Sequence, residues 1–421
     1  MSAPVNAPSV TAASAAPAAG RPKSAVAQPL AFLSLLFGAL VVVGFRSAGS
    51  SNVTACLAAL ILAIALPHML ERLPFILSRI AHGNALSLRR IAIKLLGLAA
   101  LYSVIFLAYL VFRGFTRDYL QPLLALPSSW LAVLAVLVPI YITLTDRVMQ
   151  EPEDALYKLG CNVLGTAAVE NDQELRQFLL GWLVKGFFAP LMIVFASGDL
   201  GRILGQDFAA SFAEQGGWYN VSYDMLFFVD VAFAATGYLC TLKLFDAQIR
   251  SAEPTAFGWL VCIMCYPPFW DSIRNNFFEY DTGQGWGGWL SDYPFFYTLW
   301  GASIIALLLF YAWTTVSFGM RFSNLTHRGI LTSGPFAFTK HPAYISKNIS
   351  WWLVSVPFIP VNGIWQAVMN CLALLMINGI YWLRAITEER HLSRDPAYVA
   401  YAAWIAEHGV IARLRRLLHL N

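Results

Sequence analysis

The sequence predicts an all-α fold: a polytopic helical membrane protein with about ten transmembrane helices and both termini in the cytoplasm. Three observations carry this expectation. Of 421 residues, 58% are hydrophobic and 12% charged, against roughly 25% charged in ordinary soluble domains. Apolar runs recur at close to the ~20 residues an α-helix needs to cross about 30 Å of hydrocarbon, where a membrane barrel would show short alternating segments. Lysine and arginine are distributed asymmetrically between the loops. With the N-terminus inside, 21 fall in cytoplasmic segments and 5 in outside loops, the bias expected of an even number of crossings.

In chain order, residues 1–28 are rich in Ala, Pro and Ser and lack an apolar core, so they read as a disordered tail. They do not read as a cleavable signal peptide, because the first apolar run starts late and nine more follow. The runs lie near 29–45, 53–70, 91–112, 130–145, 178–197, 223–245, 257–270, 295–319, 342–360 and 363–383. The seventh is short and ends in Pro267-Pro268, which predicts a broken or re-entrant segment. Between the fourth and fifth runs, Asp146 to Gln177 has the spacing of short amphipathic surface helices. The outside loop Asp271 to Pro294 mixes aromatics, glycines and acids, as a segment lying in the membrane–water interface does. After Tyr401 the chain continues as AAWIAEHG and VIARLRRLLHL, amphipathic helices suited to an anionic membrane surface. A polar loop, Phe245 to Pro254, divides an N-terminal six-span domain, 29–250, from a C-terminal domain, 251–421.

The net charge of +4 follows from membrane orientation without any nucleic-acid partner. Six cysteines, mostly in apolar runs, make no disulfide framework, and Cys262-x-x-Cys265 reads as packing. The seven histidines show no metal-ligand spacing.

Chemistry concentrates in two blocks, LTSGPFAFTKHPAYISKNISWW from Leu331 and YWLRAITEERHLSRDPAYVAY from Tyr381, flanking a helical hairpin interrupted by PFIPVNG. The hairpin returns both blocks to the cytosolic face. Gly334-Pro335 breaks the chain, and Pro342 suits a first helical turn because its missing N–H would be unpaired there. His341 therefore stands at a helix start, where free N–H groups favour a carboxylate or phosphate. Arg384 and Glu388, four apart, share a helix face, with Glu389 beside them. Taken singly, a His-Pro at a helix start is a structural feature and a juxtamembrane Glu pair a solvated one; their joint occurrence with Arg384 and the tyrosines suggests a pocket. Such a pocket offers cationic and anionic groups together, as a zwitterion with an added cationic centre requires.

SGPFAFTKHPAYIS followed by RAITEERHL and DPAYVAY resembles the isoprenylcysteine carboxyl methyltransferases and related membrane phospholipid methyltransferases. Their pattern is a Gly-Pro-aromatic turn, Arg-His-Pro-x-Tyr, a hairpin, Arg-x-x-x-Glu-Glu, then Tyr-x-x-Tyr. The resemblance implies methyl transfer from S-adenosylmethionine to a lipophilic or lipid-linked acceptor at the cytosolic face of an inner or plasma membrane. It implies Gly334, Lys340, His341, Pro342, Tyr344, Glu388 and Glu389 as cofactor-binding residues, and Arg384, Glu388 and Glu389 as catalytic ones. An amine or hydroxyl acceptor would need proton removal, for which Glu388 or Glu389 is nearest; a carboxylate would not. Lys340 departs from the usual Arg, keeping charge without bidentate geometry. Ser346 replaces a Gly, and GVIARLRR lacks the basic-Pro ending.

Two other readings stay open. Membrane sterol reductases share the His-Pro-x-Tyr region and would use NADPH, but show Asn and Glu where this chain has Ala343 and Lys347. A transporter or lipid-binding scaffold would put the work in the extra spans. There Asp230, an intramembrane carboxylate, is the candidate substrate-access residue, and Lys185 is a candidate partner for it, although the two lie at different expected depths.

Overall fold

The computed structural model describes residues 20–112, 128–166, 172–281 and 283–419. Most of the expected N-terminal tail, the loop carrying Arg113 and Arg117, and Leu420 lie outside the described residues.

Helices dominate. They are α1 (Gln28–Ser47), α2 (Val53–His82), α3 (Leu88–Val111), α4 (Ser128–Val148), α5 (Ala155–Val163), α6 (Gln173–Gly205), α7 (Phe208–Ala213) and α8 (Gly217–Leu239). A two-residue strand, β1 (Ser251–Ala252), precedes α9 (Ala256–Ile263), α10 (Phe269–Phe277), α11 (Trp286–Trp289) and α12 (Pro294–Ser317). β2 (Thr326–His327) pairs antiparallel with β1, Ser251 opposite His327. Then come α13 (Pro342–Ser355), α14 (Ile364–Leu392), α15 (Pro396–His408) and α16 (Val410–Leu417).

Among the described residues, six helices are long and apolar enough to cross a membrane: α1, α2, α3, α6, α12 and α14. The protein is thus a multi-pass, all-α membrane protein in contact with lipid. The expected ninth crossing, 342–360, differs. α13 has 14 residues, about 21 Å at ~1.5 Å each, short of the hydrocarbon thickness. It stops because Val356, at φ +39°, precedes Pro357, whose ring disfavours helical geometry in the residue before it. The seventh run breaks around Pro267-Pro268 into α9 and α10.

The core is built by α2, α6 and α8, with Phe188 stacked on Tyr238 at 5.3 Å. The loop between α4 and α6 is tied to α3. Gly97 and Gly160 let α3 and α5 meet backbone to backbone; a Cβ on Gly160 would lie 2.1 Å from Ile93 O. Beside that contact Lys94, 2% exposed, bridges Asp146 at 2.9 Å and Asp154 at 3.4 Å, and Arg90 reaches Asp146 at 2.6 Å. Buried charges in this arrangement are tolerable because each has an opposite partner.

The two expected domains are interlocked. Buried Arg328 donates to the carbonyls of Gly237, Met320, Phe322 and Ala247 at 2.5–2.9 Å, satisfying the free carbonyl end of α8. The end of the presumed tail is also anchored, which corrects its reading as disordered over the described part. Ala25 N–H donates to Ile330 O at 2.8 Å, Thr332 Oγ1 to Pro22 O at 2.7 Å, and Trp313 Nε1 to Gln28 Oε1 at 3.1 Å. Val26 is 3% exposed, so an apolar side chain and three hydrogen bonds hold a segment whose composition alone suggested no core.

Candidate functional site

The two motif blocks converge. Pro342 opens α13, and His341 precedes it at the helix start. Glu388 and Glu389 come from the last turns of α14. The carboxylate of Glu389 is divided between Lys340 Nζ at 2.5 Å and His341 Nε2 at 2.8 Å. Lys340, expected to meet the anionic part of a cofactor, is therefore already neutralised within the chain, and Glu389 acts as the tie between the two blocks. The His341 ring lies parallel to Tyr344, centroids 5.5 Å apart. Tyr344 donates its hydroxyl to Glu388 Oε2 at 2.8 Å. Glu388 is otherwise exposed.

Next to this tie is a pocket of about 130 Å³, walled by Lys340, His341, Tyr344, Lys347, Arg384 and Glu388 among others. A smaller cavity of about 70 Å³ adjoins it, shares Lys340, His341 and Glu388, and adds Arg321, His327 and Tyr401. Gly334 walls neither. Its left-handed φ of +64° serves the turn, and a Cβ there would lie 2.6 Å from Gln28 Oε1, so its contribution is to let the N-terminal segment dock.

Arg384 is 6% exposed. Its guanidinium sits over Tyr344 and Tyr381 at 5.2 Å each and Tyr266 at 5.7 Å, and donates to Asn324 Oδ1 at 3.3 Å. Asn324 is itself fixed, its Nδ2 donating to the Tyr238 and Tyr266 hydroxyls at 2.9 Å each. Among the described residues no carboxylate pairs with Arg384. A buried cation held by ring faces and one amide is set up to receive an anion.

Lys347 is one helical turn further along α13. Its ammonium lies 5.4–5.9 Å from the Tyr311, Trp351 and Tyr381 ring centres, again with no ion pair among the described residues. In sequence Lys347 stands out only as a departure from the reductase pattern. Its i+3 and i+4 spacing from Tyr344 and Trp351 is the signal that places all three on one face. Asp230 stands behind this wall, accepting from Tyr311 OH at 2.8 Å and Thr315 Oγ1 at 2.5 Å. Lys185 is not its partner. That ammonium lies 3.1 Å from the Trp182 ring centre. Tyr311 and Thr315 line the pocket, so Asp230 touches the site through them.

Two further groups escaped the sequence reading. Glu253, 3% exposed, and His391, 5% exposed, both line the pocket. His327 wall the neighbouring cavity, 3.2 Å from Asp395; burial pushes its imidazole below the usual value, with Asp395 opposing the shift. Tyr398 and Tyr401, the Tyr-x-x-Tyr element, are pushed up by burial. Tyr401 donates to Phe336 O at 2.8 Å, so it pins the turn before His341.

The arrangement provides a buried guanidinium and ammonium on one wall, carboxylates at Glu388 and Glu253 elsewhere, and tyrosine faces between. No family model matches the chain, and no curated protein or solved structure matches it either.

Proposed function

We propose that this protein transfers a methyl group from S-adenosylmethionine to a lipophilic acceptor at the cytosolic face of the membrane. The observation that carries the reading is the joint presence, in one pocket, of Arg384 without an anionic partner among the described residues and of carboxylates without a full cationic partner among them. S-adenosylmethionine would supply an electrophilic methyl group on a cationic sulfur. Arg384 would hold its carboxylate, assisted by the N–H groups that open α13. Glu388, oriented by Tyr344, would accept from its ribose hydroxyls or ammonium, and the tyrosine faces would shelter the sulfonium. Glu389, with Lys340 and His341, holds the wall in place.

With this reading go an even number of crossings, both termini in the cytoplasm and an inner or plasma membrane location. The N-terminal half, 29–250, would shape acceptor access, with Asp230 acting through Tyr311 and Thr315. A second reading, an NADPH-dependent reductase, is favoured by one observation: the adjoining cavity is walled by Arg321, His327 and Arg328, basic side chains of the kind a phosphate would require. Calorimetry on the purified chain separates the two. Binding of S-adenosylmethionine without binding of NADPH is expected, and the reverse would replace the first reading by the second.

A further inference from the structure

We propose that His391 and Glu253 form a proton-accepting pair that receives the N–H or O–H group of a protic acceptor. The proposal rests on the methyl-transfer reading and names the acceptor class for it. Glu253 follows β1, while His391 ends α14; the β1–β2 pairing and the closing of α14 bring them to one wall. His391 Nε2 lies 2.9 Å from Ser251 Oγ. In the proposed pair Ser251 Oγ accepts the Nε2 proton, the tautomer that leaves a lone pair on Nδ1. That Nδ1 lies 3.8 Å from Glu253 Oε2, too far for a hydrogen bond. Glu253 Oε1 is occupied by the N–H of Thr255 at 3.0 Å and its hydroxyl at 2.5 Å. A ring nitrogen and a carboxylate oxygen 3.8 Å apart can thus both be reached by one donor that approaches from the pocket, about 3 Å from each.

No lysine or arginine pairs with Glu253 among the described residues, and a buried carboxylate in that position calls for a donor or a cation. An ammonium or hydroxyl group meets the need; a carboxylate would set a second negative charge against Glu253. Of the other candidates for proton removal, Glu389 is engaged by Lys340 and His341, and Glu388, oriented by Tyr344, is the residue assigned to the cofactor. Around the pair, His327 and Arg394 face His391, and Arg390 donates to Thr255 Oγ1 at 3.2 Å. The acceptor's proton passes to Nδ1, and Glu253 stabilises the imidazolium. The lone pair left on nitrogen or oxygen forms the new bond to the methyl carbon. The electrons of the broken carbon–sulfur bond stay on sulfur, and the proton is later lost to solvent.

The test uses the full chain in nanodiscs, without cofactor, photolabelled by diazirine derivatives of hexadecylamine, hexadecanol and hexadecanoic acid. The amine or alcohol probe should label peptides containing Glu253 or His391, and the acid should not. Glu253→Gln and His391→Asn should each cut that labelling by about tenfold, while Arg413→Ala on the surface helix leaves it unchanged. With S-adenosylmethionine added, His391→Asn should lower transfer to the labelled probe by at least about 100-fold, with calorimetric cofactor affinity unchanged. Labelling by the acid alone, no labelling by either protic probe, or variants that label and turn over like wild type would each overturn the pair. Protic labelling that depends on Glu253 in a chain that fails to bind S-adenosylmethionine would support the donor site and sink the methyl-transfer reading instead.

Discussion

Arg384→Met separates binding from folding. The guanidinium is buried and, among the described residues, has no carboxylate partner, so its desolvation is offset there by three ring contacts and the 3.3 Å bond to Asn324. Cation–π contacts contribute about 0.5–2 kcal/mol each. Met fills nearly the same volume, regains sulfur–aromatic contacts of about 0.3–1.5 kcal/mol, and removes the burial cost of an unpaired charge. The gains and losses are of similar size, so the melting temperature of the ligand-free variant should stay within about 5 °C of wild type. Ligand binding has no such compensation. A charge-assisted bond to a carboxylate is worth about 1.5–3 kcal/mol, or about 10- to 150-fold in affinity at ~1.4 kcal/mol per tenfold.

The assay pairs thermal melting with calorimetry for S-adenosylmethionine and its decarboxylated analogue, which forms a double-mutant cycle. Wild type should prefer the intact cofactor by that factor, and Arg384→Met should abolish the preference. A variant that loses far more than 5 °C while keeping its discrimination between the two ligands would make Arg384 a structural cation and refute the argument.

Lys340→Met and Glu389→Gln should be strongly non-additive, since each breaks the same tie: melting of the double variant should fall little below the worse single one, and additive losses would show that the tie carries no energy. Asp230→Asn keeps the size of the side chain but leaves one of two hydroxyl donors facing an amide, so acceptor turnover should fall while cofactor affinity holds; a melting defect alone would make Asp230 purely structural. His327 gives a pH dependence of known sign. Burial holds it below the ordinary value of 6.5, so between the two values the unfolded chain binds a proton that the folded chain does not. Its contribution to stability is complete above about pH 6.5 and declines as the pH falls below it. His327→Gln should flatten the slope of melting temperature below about pH 6.5, and an unchanged slope would remove His327 as its source.

Crossing helices were legible because hydropathy is a local property: the apolar runs of α1, α2, α3, α6, α12 and α14 each declare themselves within about 20 residues. Their ends were less so, since α2 and α6 continue past the apolar run into segments such as Glu71 to His82 and Gln173 to Arg176, where helix propensity and caps decide. The convergence of His341 with Glu389 was legible for a similar reason, because a hairpin with a short turn leaves its two bases side by side. What spacing does not contain is which charge neutralises which. Lys340, His341 and Glu389 are equally fit to bind a ligand or one another, and only the packed arrangement assigns them to one another.

The same limit applies with more force to Ser251 and His391, 140 residues apart. A polar loop with Pro254 looks like a boundary between domains, and in sequence nothing distinguishes a boundary from a wall. Folding makes it a wall. β1 pairs with β2, Glu253 N–H donates to Leu325 O at 2.8 Å, and Trp259 Nε1 donates to Glu253 O at 2.8 Å. These bonds aim the acid into the pocket. Asp230 reaches the same pocket from the other half through Tyr311 and Thr315. A cavity whose charged groups descend from α8, the β1 loop, α13 and α14 is therefore a property of both halves together, and a chain cut at residue 250 would lose the framework that orients Arg384 through Tyr238 and Asn324.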